Sequence, residues 1–171
     1  MMKEGRIVGS VFSVVVVVVT ILMTGMATET DAGTIKLTAP DFHSDGGVDA
    51  TTLGYYFSWG VGSISGREDG GCLQAPVKFP SSAVKVKSVI AYVSDENASF
   101  DFWVELDAVN MVTGNVVTLG YTETSSTTGG IIPLSLPLTS KNLSTAYQYW
   151  LGICVEQDIS FYGAKIVYTT P

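Results

Sequence analysis

Short runs of strand-forming residues follow one another from residue 34 to residue 169, separated by Gly, Ser, Thr, Asn and Pro. No apolar period of 3.6 residues, which an amphipathic helix requires, is sustained over three turns in this region. Eight or nine short strands in one small domain are typical of an all-β sandwich or jelly roll with mostly antiparallel pairing. The predicted strands cover Thr34–Thr38, Gly54–Trp59, Cys72–Phe79, Val84–Ser94, Phe100–Val109, Val116–Thr122, Ile131–Leu138, Gln148–Glu156 and Ile159–Thr169.

The stretch FDFWVELDA, residues 100–108, alternates with the two-residue period of a strand. The side chains that the pattern directs toward the core are Phe100, Phe102, Val104, Leu106 and Ala108. The side chains that it leaves on a solvent-facing side are Asp101, Trp103, Glu105 and Asp107. Residues 148–156 and 72–79 alternate in the same way, which predicts Trp150 and both cysteines on polar strand faces.

Two segments between and within these runs are less regular. The charged stretch Ser63–Gly71 carries no alternation and is predicted as a long loop. Pro133 and Pro137 interrupt the run from residue 131 to residue 138. Because proline donates no hydrogen bond to a ladder, this run is predicted to be an edge strand or an extended segment.

The N-terminus predicts export from the cytoplasm. Lys3 and Arg6 precede an uncharged run, residues 7–27, which includes six consecutive valines. This order is typical of a signal peptide, and Gly25-Met26-Ala27 provides a small-x-small site for cleavage before Thr28. The alternative is an uncleaved N-terminal anchor, because the run is about as long as a membrane span of roughly 20 residues. We therefore predict a signal helix over residues 1–27, a single domain over 28–171, and a secreted or extracytoplasmic protein.

The charge of the chain narrows the range of partners. The whole sequence has a formal net charge of −7 at pH 7. Removal of Lys3, Glu4 and Arg6 with the signal leaves seven basic and fifteen acidic residues, a net charge of −8. An acidic domain of this kind argues against nucleic acid or anionic lipid as a partner. A membrane is predicted as a partner only if the N-terminal segment is retained.

The chain contains two cysteines, Cys72 and Cys154, and both lie in the part predicted to be exported. In an oxidising compartment the default expectation is a single disulfide bond. Both cysteines are also predicted on the polar side of their strands, as a bond across the outside of one sheet requires. Alternation alone does not establish that the two strands are neighbours.

The stretch DFHSDGGVD, residues 41–49, resembles part of a calcium loop. Asp41, His43 and Asp45 take alternate positions, glycine follows, and Asp49 is at position nine. The bidentate acid expected at position twelve is missing, because Thr52 is there. The preferred interpretation is a solvated loop with turn-forming residues and no metal, and the calcium loop is the weaker alternative.

The stretch WVELDAVN, residues 103–110, resembles the E-[IL]-D-x-x-E pattern of jelly-roll glycosidases of the laminarinase type. Glu105 and Asp107 match that pattern, and the resemblance implies that Glu105 would be the nucleophile. The general acid of that pattern is replaced by Asn110, and an amide cannot protonate a leaving oxygen. A degenerate glycosidase is therefore a second alternative.

Other catalytic machinery is missing from the sequence. His43 is the only histidine, no G-x-S-x-G elbow occurs, and both thiols are predicted to be bonded. Neither G-x-x-x-x-G-K nor G-x-G-x-x-G, the motifs that hold phosphates, is present. We therefore predict no catalytic residues and no cofactor.

The aromatic residues provide the clearest functional indication. Trp103 and Trp150 are predicted on solvent-facing sides of strands, close to the acidic residues Asp101, Glu105 and Asp107. Exposed aromatic rings stack on sugar rings, and carboxylates accept hydrogen bonds from sugar hydroxyls. A covering loop or a second subunit would also explain these aromatics, and Tyr55, Tyr56 and Trp59 form a further cluster. We predict a module that acts through binding or extracellular self-association, with carbohydrate binding as the first alternative.

Four stretches, GGCLQAPVKFP, FDFWVELDAVNMVTGNV, YWLGICV and ISFYGAKIVYTTP, together resemble a group of small secreted proteins of largely uncharacterised function. That group shares a Gly-Gly-Cys-Leu-x-Ala-Pro-Val-x-x-Pro stretch, a second cysteine strand and a closing strand of the YGA type. The resemblance covers roughly residues 70–171. It implies a β-sandwich with a Cys72–Cys154 pair, and it implies no activity.

Overall fold

The computed structural model describes residues 32–44, 55–58, 62–67, 70–80, 83–139 and 141–170. The chain divides into two units, residues 1–30 and 31–171, and all described residues belong to the second unit. The predicted signal helix, residues 1–27, lies outside the described residues. Within the described ranges, no helix has the length and hydropathy needed to cross a membrane.

Twelve strands and one short 3-10 turn make up the described part of the chain. The turn covers Ala39–Asp41. The strands are β1 (Ala32–Leu37), β2 (His43–Ser44), β3 (Tyr55–Ser58), β4 (Ser63–Gly66), β5 (Gly71–Val77), β6 (Ala83–Asp95), β7 (Trp103–Asn110), β8 (Val116–Glu123), β9 (Ile132–Ser135), β10 (Asn142–Ser144), β11 (Tyr147–Val155) and β12 (Ile159–Thr169).

The first sheet has seven strands and is organised around β12. One edge of β12 pairs with β6 from Ile159 to Thr169, with two register shifts. The other edge of β12 pairs with β4 and then with β1, and β3 extends the sheet beyond β4. The far edge of β6 pairs with both β10 and β9. All of these pairings are antiparallel.

The second sheet has five antiparallel strands in the order β2-β5-β11-β7-β8. The register of its central strand is fixed by Leu151, which lies opposite Ala75 of β5 and Leu106 of β7. A register shift follows Leu106 in the pairing of β7 with β8. The two sheets make the chain an all-β sandwich of the predicted class.

The core lies between the two sheets, where alternate residues of each strand are buried. Ring contacts cross the interior, since Phe161 of β12 packs at 4.9 Å from Phe42 and stacks at 5.8 Å on Phe102. The inward positions predicted in the second sheet are confirmed for Leu73, Ala75, Val77, Phe102, Val104, Leu106, Ala108, Tyr149, Leu151, Ile153 and Val155. The prediction was wrong for Phe100, which precedes β7 and is 53% exposed.

All nine predicted runs contain a strand, and three short strands are additional. The prediction of a loop over Ser63–Gly71 was wrong for Ser63–Gly66, which forms β4 between β3 and β12. Strands β2 and β10 have two and three residues, too few for alternation to be visible in the sequence. Run 131–138 is an edge strand as predicted, because β9 pairs only with β6 among the described residues and places Pro133 opposite Tyr92.

Cys72 and Cys154 form a disulfide bond, as predicted. They lie directly opposite each other on the neighbouring strands β5 and β11, with a Cα–Cα distance of 4.1 Å. The bond therefore joins two strands that the hydrogen-bond ladder already pairs. It closes a chain segment with a sequence separation of 82 residues.

A buried carboxylate ties the two sheets together at the end of β6. Asp95 is fully buried and accepts hydrogen bonds from the backbone N–H of Phe102 at 3.1 Å and of Asn97 at 3.0 Å. The Thr124 hydroxyl donates to the same carboxylate and is itself buried. Asp95 thus links β6 of the first sheet to the segments that flank β7 and β8 of the second.

Candidate functional site

The solvent-facing side of the five-stranded sheet brings most of the predicted site residues together. Trp103, Glu105 and Asp107 point outward from β7, and each is half-buried. Trp150 points outward from the neighbouring strand β11, where it lies opposite Asp107. Tyr121 of β8 lies opposite Glu105 on the other side. We refer to these five residues as the tryptophan face.

The two tryptophans lie at different heights on adjacent strands. Trp103 is opposite Cys154, whereas Trp150 is four residues earlier on the same strand β11. At about 3.4 Å per residue, this offset places the two Cα atoms roughly 14 Å apart along the sheet. The residues between them are Glu105 and, directly opposite it, Gly152.

Gly152 leaves space for the Glu105 side chain between the two tryptophans. A Cβ atom at position 152 would lie 3.3 Å from Cγ and 3.4 Å from Oε1 of Glu105. A larger residue would therefore have to displace the carboxyl group. The absence of a side chain at Gly152 allows Glu105 to lie against the sheet between the rings.

Glu105 and Asp107 lie two residues apart on the outward face of β7. Burial raises the pKa of Glu105 above its usual value, and the neighbouring negative charge of Asp107 and a hydrogen bond to Asp107 raise it further. The Thr118 hydroxyl donates to Oδ1 of Asp107 at 2.7 Å. Glu105 is therefore the member of the pair whose pKa is raised, while the Asp107 carboxylate is fixed by Thr118 of β8.

Tyr121 extends the site toward the edge strand. Its ring lies 6.1 Å from that of Trp103 at a tilt of 39°, and it is 46% exposed. The Tyr121 hydroxyl donates a hydrogen bond to Glu123. This bond, followed by burial and by the charges of Glu123, Glu105 and Asp101, raises the pKa of Tyr121 to about 12. The phenol therefore stays protonated throughout the physiological range.

Of the other residues predicted for the aromatic and acidic site, the structure describes the side chains of Asp101 and Tyr55. Asp101 precedes β7, is exposed, and is close enough to Tyr121 for its charge to affect the phenol. Tyr55 is buried in the core, which removes it from the proposed aromatic cluster. Trp59 and the side chain of Tyr56 lie outside what the structure describes.

Tyr121 is the site residue that the sequence analysis missed. Its run, residues 116–122, was predicted as a strand, but the register shift after Leu106 changes which β8 residues share a face with Trp103. Alternation within β8 therefore gave no indication that Tyr121 lies beside Glu105. The sequence does contain one relevant feature. Tyr121 and Glu123 are two positions apart, so they lie on one strand face and place an aromatic ring beside an acid.

Asn110 does not take a catalytic position in the structure. Its side-chain oxygen accepts hydrogen bonds from the backbone N–H of Val112 at 2.9 Å and of Thr113 at 3.0 Å. The residue thus stabilises the turn between β7 and β8. Asn110 is also five residues from Glu105, an odd spacing that directs the two side chains to opposite faces of a regular strand.

Two of the four side chains of the calcium-loop alternative, Asp41 and His43, lie among the described residues. The Asp41 carboxylate accepts hydrogen bonds from the N–H and hydroxyl of Thr38, at 2.7 and 2.9 Å. His43 is exposed on β2, opposite Gln74. Asp45 and Asp49 lie outside the described residues. No cluster of three or more His, Cys, Asp or Glu side chains that could hold a metal occurs in the described part of the chain.

Comparison with known proteins finds solved structures to which the chain is similar at low sequence identity. No protein-family model and no curated protein matches the chain. The C-terminal CBM6 of LamC, a marine laminarinase from Zobellia galactanivorans, has 16% identity and a TM-score of 0.47, with 78% of this chain and 98% of that one covered. The GH26-CBM35 β-(1,4)-mannanase of Podospora anserina has 12% identity and a TM-score of 0.45, and 82% of this chain is covered.

A family two carbohydrate esterase from Cellvibrio japonicus has 11% identity and a TM-score of 0.44, with 83% of this chain covered. The chain spans 28% of the length of the mannanase and 36% of that of the esterase. Similarities of this size say nothing about the function of the chain.

Proposed function

We propose that the chain is a non-catalytic β-sandwich module that binds glycans through the tryptophan face. The observation that supports this proposal is the placement of Trp103 and Trp150 on adjacent strands, with Glu105 between them and Asp107 directly opposite Trp150. Aromatic rings offer apolar faces to the C–H surfaces of sugar rings, and carboxylates accept hydrogen bonds from sugar hydroxyls. A surface that presents both aromatic rings and carboxylates can contact successive sugar units of a glycan.

The tryptophan face is organised before a ligand arrives. Asp107 is held by the Thr118 hydroxyl, and Tyr121 is held by Glu123. Glu105 lies in the space left by Gly152. Because these side chains are already ordered, a ligand would bind without the entropic cost of ordering them.

The charge on this face selects among glycans. Glu105, Asp107, Glu123 and Asp101 are all acidic, and they lie close enough to influence one another or Tyr121. An acidic polysaccharide would be repelled by this cluster. The proposed ligand is therefore a neutral glycan, and added salt is expected to change its affinity little.

Alanine substitutions of the two tryptophans test the proposal. Because each ring would lose a stacking contact, we expect Trp103→Ala and Trp150→Ala to weaken binding to neutral polysaccharides by about tenfold or more, which corresponds to about 1.4 kcal/mol. Affinity electrophoresis followed by calorimetry measures the loss. The matched control is Tyr92→Ala, which removes an exposed ring from the other sheet.

A wild-type chain that retains no neutral polysaccharide on a broad glycan array would contradict glycan binding. Unchanged affinity of both tryptophan variants would instead show that a different surface binds. Hydrolysis of β-glucan by the wild type, lost in Glu105→Gln, would revive the glycosidase alternative.

Extracellular self-association is the second candidate, and the distribution of charge favours it. The outward side of the seven-stranded sheet carries lysines, with Lys36 directly opposite Lys165 on β1 and β12, and Lys85 on β6. The outward side of the five-stranded sheet carries the acids described above. Two opposed faces of unlike charge suit head-to-tail stacking of copies. Light scattering should then give a mass that is a multiple of the chain at low salt and falls as salt is added.

We also propose that the protein functions outside the cytoplasm. The Cys72–Cys154 disulfide supports this location, because such bonds persist in oxidising compartments. Intact mass of the protein recovered from an exporting host decides whether the chain begins at Thr28 or retains its N-terminal segment. Thiols that alkylate without prior reduction would contradict the oxidising compartment.

A further inference from the structure

The turn between β7 and β8 and the start of β8 expose four apolar side chains that are close in sequence. Met111, Val112, Val116 and Val117 are 57%, 92%, 60% and 50% exposed. Val116 lies opposite Val109, so the group continues from the turn into the edge strand β8. Apolar exposure concentrated at one turn is typical of a surface that contacts a partner or a membrane. We call these four residues the hairpin tip.

Contacts across the sandwich show which strand ends lie beside the hairpin tip. The Met111 N–H donates to the carbonyl of Ala146, just before β11 begins. Phe79, just after β5 ends, packs at 5.8 Å from Tyr149 of β11 and at 5.5 Å from Tyr168 near the end of β12. The tip, the start of β11, the end of β5 and the end of β12 are therefore at one end of the sandwich, which we call the basal end.

The basal end also carries positive charge. Lys78, Lys85 and Lys141 are exposed there. Lys78 directly precedes Phe79, and Lys85 lies opposite Thr169 of β12 and Asn142 of β10. Among the described acids, the one nearest in sequence to the hairpin tip is Asp107, which is four residues before Met111. Lysines therefore outnumber acids among the described residues that the strand pairing places at this end.

The chain enters the described domain at the same end. Ala32, the first described residue, lies opposite Thr169 at the end of β12. The sequence before it includes the uncharged run of residues 7–27. Only residues 28–31 separate the end of this run from Ala32 in the sequence.

We propose that the basal end docks on an anionic lipid bilayer, with the hairpin tip inserted among the lipids and the three lysines at the headgroups. Apolar side chains at a loop tip and lysines around it match the acyl and headgroup layers of a membrane surface. Net charge does not oppose this docking, because screening over about 8 Å at physiological salt leaves mainly the local charges in effect. The proposal is independent of glycan binding, since it uses none of the tryptophan face.

Quenching by brominated lipids tests the docking directly. The full chain carrying Val112→Trp is mixed with vesicles of phosphatidylcholine and phosphatidylglycerol whose acyl chains are brominated. We expect at least twofold stronger quenching of the added fluorescence than in Ile131→Trp, the matched control. Ile131 is 56% exposed and directly precedes β9. The first residue of β9, Ile132, pairs with Val93, which is near the end of β6 that is opposite to the basal end.

Two further measurements separate the possible causes of quenching. Charge reversal with Lys85→Glu and Lys141→Glu should reduce the quenching in vesicles that contain phosphatidylglycerol, and phosphatidylcholine alone should quench less than the mixture. Equal quenching of the two tryptophan variants would overturn the proposal. A blue shift of the Val112→Trp fluorescence emission that depends on protein concentration and not on lipid would also overturn the proposal. It would show that a second copy of the chain covers the hairpin tip.

Discussion

Glu105 shows how one missing side chain alters the chemistry of a neighbour. Gly152 allows the carboxyl group to lie against the sheet, where burial and Asp107 raise the pKa of Glu105. A raised pKa in the folded state means that folding favours the protonated form of Glu105. Stability associated with this group is therefore present below the unfolded value and is lost as the pH rises through the folded pKa.

The substitution Glu105→Gln removes this pH dependence. At neutral pH the variant should be more stable than the wild type, by less than about 1 kcal/mol because the group is partly exposed to solvent. Well below the unfolded pKa the difference should vanish. Urea unfolding of the variant and the wild type as a function of pH measures the stability difference at neutral pH and its loss at low pH. The control Glu96→Gln removes an equal charge at an exposed site away from the pair, and an identical pH response in both variants would refute the argument.

Asp95 is the buried residue whose loss should cost the most per atom removed. Its carboxylate accepts from two backbone N–H groups and one hydroxyl that have been removed from water. Asp95→Ala would remove the acceptor of the Asn97 N–H and of the buried Thr124 hydroxyl, whereas the Phe102 N–H would keep its second acceptor, Oγ1 of Thr124, at 2.9 Å. We expect the free energy of unfolding to fall by about 3 kcal/mol. Asp101→Ala, an exposed change of the same kind, should stay within about 0.5 kcal/mol in the same urea titration. Similar losses in both would mean that the Asp95 network is not the cause.

The sequence predicted the outward tryptophans correctly but not the role of Asp95. Trp103 and Trp150 were identified by alternation, which depends only on residues within one strand. Asp95 lies in a stretch rich in turn-forming residues, and its burial depends on Thr124, a residue 29 positions away. A contact between two segments that are far apart in sequence produces no periodic pattern in either segment. The sequence alone therefore does not indicate it.

At the scale of elements, long strands were predictable and short ones were not. Strands such as β7 and β11 alternate over eight and nine residues, enough to show a period of two. Strand β4 is predicted as a loop because four residues of Ser, Ile and Gly carry little preference. It becomes a strand because β12 offers an unpaired edge, a property of the neighbour and not of β4 itself.

The disulfide stabilises a strand pair that already exists. Removing it with Cys72→Ala and Cys154→Ala should leave the β-sheet circular dichroism unchanged, because the β5–β11 ladder places the two residues opposite each other without the bond. In the chain-entropy model a loop of this length contributes about 4 kcal/mol, so the melting temperature should fall strongly. Loss of the β signal at low temperature would show instead that the ladder depends on the bond.

At the scale of the molecule, the fold class followed from the number and spacing of the alternating runs. The order of strands within each sheet did not, because alternation identifies a buried face without identifying the neighbour. The tryptophan face illustrates the difference. Its residues come from β7, β8 and β11, and only the pairing of these strands shows that Glu105 lies between Trp103, Tyr121 and Gly152.

The central position of β12 has a consequence for how the chain is made. This strand pairs with β1, β4 and β6, yet it is translated after all of them. A nascent chain that has not yet released residue 169 from the ribosome lacks the partner of three strands, so its first sheet cannot close. Because most of the required contacts are distant in sequence, closure is also slow. Synthesis therefore presents the partner strands of the first sheet before the strand that joins them.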